Sequence, residues 1–275
     1  MKKMTLLSLG IITFSALALG APAAFAADEI TEAKAETEAT VLFSPNDGEE
    51  IVDPPIEGGG EGGVVDEGGS DGNKGDGNAS FNIAWVSNFR FNEKDVDGKD
   101  VPIKLNGNGM QLWAKGTKLT LQHKDAADSV YENIPNFIQV VDNRGKISGW
   151  KVSVSASAFT GTGEDEVEST LTGAVLSLNQ PVLSGPEGVA APSPFSDKLE
   201  LGTDAAILMS ADPALKAGTG TWSMKFGEEE QTSVAYKTLQ EGTGVKLDVP
   251  AKAQPKAGVP YKSTLTWNLT DGPAS

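Results

Sequence analysis

The sequence has 275 residues, with 22 Lys and Arg against 38 Asp and Glu, 32 Gly, 15 Pro, one His and no Cys, for a formal net charge of −16. Without cysteine there is no disulfide framework, thiolate metal site or thiol nucleophile, and His123 alone does not supply the multi-histidine shell of a catalytic zinc. So acidic a chain also lacks the basic footprint that a phosphate backbone requires, and nucleic acid is excluded as the expected partner.

Residues 1–26 read as a secretory signal peptide. Lys2 and Lys3 form a positive start, residues 6–19 are mostly apolar, and Ala24-Phe25-Ala26 is a small-x-small cleavage pattern, which places the cut after Ala26. The apolar run is short and broken by Ser8, Gly10, Thr13 and Ser15, which weighs against the alternative of an uncleaved membrane anchor. No Leu-Pro-x-Thr-Gly sorting sequence occurs, and the last residues, Asn268 to Ser275, contain no apolar span. An exported product of this kind is expected to stay at a cell surface only by non-covalent binding.

Residues 27–79 read as a disordered, acidic, Gly- and Pro-rich linker. Residues 28–78 hold 15 acids against Lys34 and Lys74, and Glu57-Gly58-Gly59-Gly60-Glu61-Gly62-Gly63 offers almost nothing to bury. Such a segment does not offset its ordering entropy and extends by self-repulsion. Asp71, Asn73, Asp76 and Asn78 alternate with glycines, but a calcium loop requires a ligand at position five and Gly at six, where this chain has Gly75 and Asp76. Asp95-Val96-Asp97-Gly98 is equally incomplete.

Residues 80–275 form one unit with period-two patterning. The runs are Phe81-x-Ile83-x-Trp85, Leu119-x-Leu121, Ile138-x-Val140, Trp150-x-Val152-x-Val154, Leu176-x-Leu178, Trp222-x-Met224-x-Phe226, Val245-x-Leu247-x-Val249 and Tyr261-x-Ser263-x-Leu265-x-Trp267-x-Leu269. Gly, Pro, Asn and Asp cluster between them, and the one helical candidate, residues 204–208, is short. The expected fold is all-β: a β-sandwich or a partly open barrel of short antiparallel strands.

Two of these runs carry a resemblance. Asp142-Asn143-Arg144-Gly145-Lys146-Ile147-Ser148-Gly149-Trp150-Lys151-Val152-Ser153-Val154 and Tyr261-Lys262-Ser263-Thr264-Leu265-Thr266-Trp267-Asn268-Leu269, with Pro273 beyond, resemble the two signature elements of the WxL-domain surface proteins of low-GC Gram-positive bacteria. Gly220-Thr221-Trp222 and the Leu247 to Pro250 stretch look like the family too, as does the Asp53-Pro54-Pro55 lead. Val152 stands where the family name has Leu, a β-compatible apolar exchange.

The resemblance implies a non-catalytic, secreted protein held non-covalently on peptidoglycan, in company with a membrane-anchored partner protein and other WxL proteins. The motif residues it marks for wall binding are Trp150, Val152, Tyr261, Leu265, Trp267 and Leu269. The alternative is an interaction or adhesion module that a membrane-anchored partner brings to the wall.

Strand geometry adds a second reading of the same residues. Alternation puts Trp267 on one face with Tyr261, Leu265 and Leu269, and Trp150 on one face with Val152 and Val154. Both tryptophans thus lie on apolar faces, either as core or as an aromatic groove for sugar. Lys151, Thr266 and Asn268, on the polar faces, are the candidates for ligand or partner contact.

Other chemistry fares less well. Glu164-Asp165-Glu166 and Glu228-Glu229-Glu230 sit beside glycines and read as solvated turns, not as a glycosidase carboxylate pair. His123 has no nucleophile signature near it, no phosphate loop is present, and no cofactor is expected. An acidic protein gains no long-range attraction from a phosphate-rich polymer, so the glycan or peptide stem of peptidoglycan is favoured over teichoic phosphate.

Overall fold

The computed structural model describes residues 40–45, 48–56, 62–95, 97–164, 166–227 and 241–272. The chain divides into two compact units, Met1–Leu42 and Phe43–Ser275. Of the first, only residues 40–42 are described, and they are exposed and outside any regular element. The expected signal peptide, Glu228-Glu229-Glu230 and Pro273 lie outside the described residues.

In chain order the strands of the second unit are β1 (Val64–Val65), β2 (Gly72–Asn73), β3 (Phe81–Ser87), β4 (Glu93–Lys94), β5 (Asp100–Val101), β6 (Met110–Lys115) and β7 (Thr117–His123). There follow β8 (Ala126–Ile134), β9 (Phe137–Asp142), β10 (Trp150–Ala156), β11 (Thr160–Thr162), β12 (Glu168–Thr170), β13 (Val175–Asn179) and β14 (Pro181–Ser184). The last are β15 (Ser193–Pro194), β16 (Lys198–Leu201), β17 (Ala206–Ala211), β18 (Gly220–Phe226), β19 (Glu241–Val249) and β20 (Leu265–Asp271). Only short 3-10 turns interrupt them among the described residues. The all-β expectation is borne out. The helical candidate at 204–208 instead runs into β17, whose Leu208 and Met209 are fully buried and whose pairing to β10 outweighs any local helical preference.

The strands assemble into a five-stranded sheet in the order β14-β18-β9-β3-β2, two four-stranded sheets, β15-β17-β10-β20 and β16-β13-β19-β6, and a three-stranded sheet, β1-β7-β8. The pairs β11-β12 and β4-β5 stand apart, and no described sheet closes on itself. The main core takes Ile138 and Val140 from β9, Trp222, Met224 and Phe226 from β18, Trp150, Val152 and Val154 from β10, and Leu176 and Leu178 from β13. A second core on the opposite side of β3 and β9 takes Trp85, Phe137 and Val141 against Leu119, Leu121 and Ile134. The five-stranded sheet is therefore covered on both faces at its centre, and every residue of β9 is buried.

A β-bulge reorganises the first predicted run. Ile83 pairs with Val140 and Trp85 with Gln139, so Ala84 is the extra residue. Ile83 consequently faces the main core while Trp85 faces the second, although strict alternation had placed both on one face.

The linker expectation also needs correction where its residues are described. Val52 and Val65 are buried in the second core, Val52 and Gly63 exchange backbone hydrogen bonds, β1 pairs with β7, and β2 pairs with β3. Segments 48–56 and 62–79 thus belong to the folded unit, whose packing begins well before residue 80. Gly72 lies against the Trp85 ring, where an added Cβ would sit 2.2 Å from Cζ2, so one glycine of this acidic stretch is a packing residue.

Candidate functional site

The two motif strands are neighbours. β10 and β20 pair antiparallel without a register shift: Trp150 opposite Asp271, Lys151 opposite Thr270, Val152 opposite Leu269, Ser153 opposite Asn268, Val154 opposite Trp267 and Ser155 opposite Thr266. β10 is interior to its sheet, with β17 on its other side, while β20 is the edge. Its position decides how deep each side chain lies.

On the inward face, Trp150, Val152 and Val154 are fully buried. The Trp150 indole N–H donates to the Gly218 carbonyl at 3.0 Å, which satisfies the single polar atom of the ring. Gly218 allows this approach. Its φ is +80°, and an added Cβ would stand 2.4 Å from the Ala211 Cβ and 2.8 Å from the indole nitrogen. Leu265, Trp267 and Leu269 point the same way but are only half-buried, packed on the main core from its margin. The Trp267 ring meets Phe89 edge-on at 6.3 Å, and Phe89 in turn meets Phe226 edge-on at 6.0 Å.

Tyr261 does not join this row. The strand begins at Leu265, and Tyr261 packs on a separate cluster with Leu247 and Val249. Its hydroxyl lies 2.8 Å from Ser169 Oγ and accepts from the Lys256 amide at 2.9 Å, so the ring serves the loop before β20.

The outward face is mostly polar, the exception being Ile207 of β17, which is exposed opposite Ser153. Thr270, Lys151, Ser210 and Ser193 lie side by side over four strands, followed by Asn268 beside Ser153, then Thr266 beside Ser155. Three inter-strand spacings make this first row about 14 Å wide. Lys151 is its one charged side chain, and Thr266, Asn268 and Thr270 are exposed.

A charge cluster fastens the end of β20, and nothing in the strand pattern assigns a role to its members. Arg144 holds Asp142 with two hydrogen bonds, at 2.7 and 2.9 Å, and reaches Asp271 at 2.7 Å. Lys146 Nζ and Ser148 Oγ donate to the same Asp271 carboxylate at 2.7 and 2.6 Å, and the Arg144 guanidinium lies 3.5 Å over the Phe81 ring. The hydrogen bonds from Lys146, Ser148 and Arg144 hold the Asp271 carboxyl well below the usual carboxylate range. The turn before β10 thereby grips the last residue of β20.

A family model described as "WxL domain surface cell wall-binding" matches residues 30–273. The chain belongs to the WxL domain family. No curated protein and no solved structure gives a significant match. As a WxL domain this is a surface domain that binds the cell wall, and no helix among the described residues is long and apolar enough to cross a membrane.

The remaining chemical candidates take up local roles. His123 Nε2 lies 2.9 Å from Ser129 Oγ across the β7–β8 hairpin. Glu164 and Glu166 are exposed in the turn between β11 and β12. Asp95 accepts from the amides of Asp97 and Lys99 at 2.9 Å and shapes a turn, and Asp71 pairs with Arg90.

Proposed function

We propose that this WxL protein is a non-catalytic wall-retention protein that binds peptidoglycan non-covalently through the outward face of β10 and β20. The observation that carries the reading is the register that aligns both signature strands side by side, with Lys151, Ser153, Ser155, Thr266, Asn268 and Thr270 on one accessible surface. Trp150 and Val152, fully buried, set the position of that surface without reaching it. Hydroxyl and amide groups suit the hydroxyls and acetamides of a glycan strand, and a single ammonium suits a carboxylate of the lactyl or peptide stem.

Export, which rests on the signal pattern of residues 1–26, belongs to this proposal, as do retention without a covalent link and membership of a surface complex with a membrane-anchored partner, which rest on the family resemblance. The test is co-sedimentation with isolated peptidoglycan stripped of teichoic polymers. The triple variant Lys151→Ala, Thr266→Ala, Asn268→Ala should weaken pelleting by at least about tenfold, about 1.4 kcal/mol. Its thermal melt should stay close to that of the unchanged protein, because none of the three side chains is buried. Undiminished pelleting of the triple variant removes this face as the site, and no pelleting of the unchanged, folded protein assigns anchoring to another protein.

A further inference from the structure

We propose that β20 is a self-pairing edge through which two copies of this chain join their β15-β17-β10-β20 sheets into one continuous sheet. The phase of the ladder comes first. Beyond its two ends, the Ser157 amide donates to the Thr264 carbonyl at 2.9 Å and the Gly272 amide to the Gly149 carbonyl at 3.1 Å. Bonded and non-bonded pairs alternate in an antiparallel ladder, so residues 266, 268 and 270 also bond to β10, and Leu265, Trp267 and Leu269 turn their amides and carbonyls away from it. β20 is the last strand of its sheet, and among the described residues these outward backbone groups have no hydrogen-bond partner. The terminal motif therefore presents, at alternate positions, a row of unpaired donors and acceptors.

Most of the other described sheet edges carry features that discourage pairing. β15 is two residues long and contains Pro194, β14 opens on Pro181, β16 carries Lys198 and Glu200, and β8 carries Asp128 and Glu132. β20 runs seven residues without Lys, Pro or bulge, and its one charge, Asp271, is neutralised by Arg144 and Lys146. Its inward row of Leu265, Trp267 and Leu269 is covered on one side only. An added strand completes that cover.

The strand is complementary to itself. When two copies run antiparallel with Trp267 of one opposite Leu269 of the other, the outward-bonding residues meet each other, as the ladder requires. Asn268 then lies opposite Asn268, and Thr266 opposite Thr270, so amide meets amide and hydroxyl meets hydroxyl, while on the inward face Trp267 meets Leu269 twice and the ion-paired Asp271 closes each end opposite Leu265. A strongly charged partner strand finds no matching charge here, because the chain carries none between Lys262 and Asp271. The pairing also sets two polar faces side by side on one surface, and a linked pair of weak sites holds a polymer more firmly than either alone.

The inference is independent of wall binding, and its test needs no wall. In the full-length protein, the amides of Leu265, Trp267 and Leu269 should exchange freely at about 1 µM, and about 100-fold more slowly at about 1 mM, with a monomer-to-dimer shift in sedimentation. The register has its own probe, because the protein has no cysteine. Asn268→Cys should oxidise readily to a covalent dimer, the two Cα atoms facing each other in a non-bonded pair, whereas Thr266→Cys should not. A protein that remains monomeric at about 1 mM overturns the proposal. So does a dimer whose three amides stay unprotected, protection already complete in the dilute monomer, or equal cross-linking of the two cysteine variants.

Discussion

Trp150 and Trp267 occupy adjacent strands of one sheet, point to the same side, and differ in what covers them. Trp150 lies between β17 and β20, fully buried, with its indole nitrogen bonded to Gly218. Trp267 lies on the edge, half-buried against Phe89. Trp150→Ala is therefore expected to lower unfolding stability by about 3–5 kcal/mol, and Trp267→Ala by about half as much, read from denaturant midpoints at unchanged slope. Equal losses would mean that the edge ring is as enclosed as the interior one. Alternation in the two runs made the facing of both rings legible in the sequence. Depth was not legible, because it depends on which strand comes next in the sheet and not on the residues of the strand itself. The grip on Asp271 was hidden for the same reason: Lys146 and Asp271 are 125 residues apart, and only the pairing of β10 with β20 brings them together.

At the scale of elements, the strand runs were legible because interior strands favour β-branched and aromatic residues bounded by turns. Two features escaped that reading. The bulge at Ala84 adds one residue to β3 and redirects Trp85 into the second core, an event that leaves no mark in a period-two pattern. The segment 48–56 was lost in its composition, since the average over an acidic, glycine-rich stretch hides single apolar residues that find a site. Val52 is such a residue: it is fully buried beside Val65 and Trp85, and the Gln139 side chain bridges to the backbone on either side of it, accepting from the Asp53 amide and donating to the Ile51 carbonyl at 2.9 Å. Val52→Asp is expected to cost about 3 kcal/mol or more, because it places an unpaired carboxylate in that core. The same exchange at the half-exposed neighbour Ile51 should cost far less, and thermal melts of the two variants compared at pH 7 check the difference. Identical melts would return this segment to the status of a linker.

For the molecule as a whole, the distribution of charge governs how it meets a wall. Of the 38 acidic residues, 15 lie between 28 and 78, against two lysines. The two signature strands, by contrast, carry only Lys151 and the ion-paired Asp271. Anionic wall polymers thus repel the chain at long range, and that repulsion fades beyond about 8 Å at physiological salt. Binding at this face, whose one charge is Lys151, then draws chiefly on hydrogen bonds that operate only on close approach. Affinity for teichoic-stripped peptidoglycan is therefore expected to change by less than about threefold between about 50 and 500 mM salt, measured by co-sedimentation at constant pH. With teichoic polymers left in place, added salt should strengthen pelleting by screening the repulsion between two negative partners. A steep loss of binding as salt rises would instead show attraction between opposite charges. That would move the contact from the Ser, Thr and Asn rows of β10 and β20 to a basic patch elsewhere on the protein.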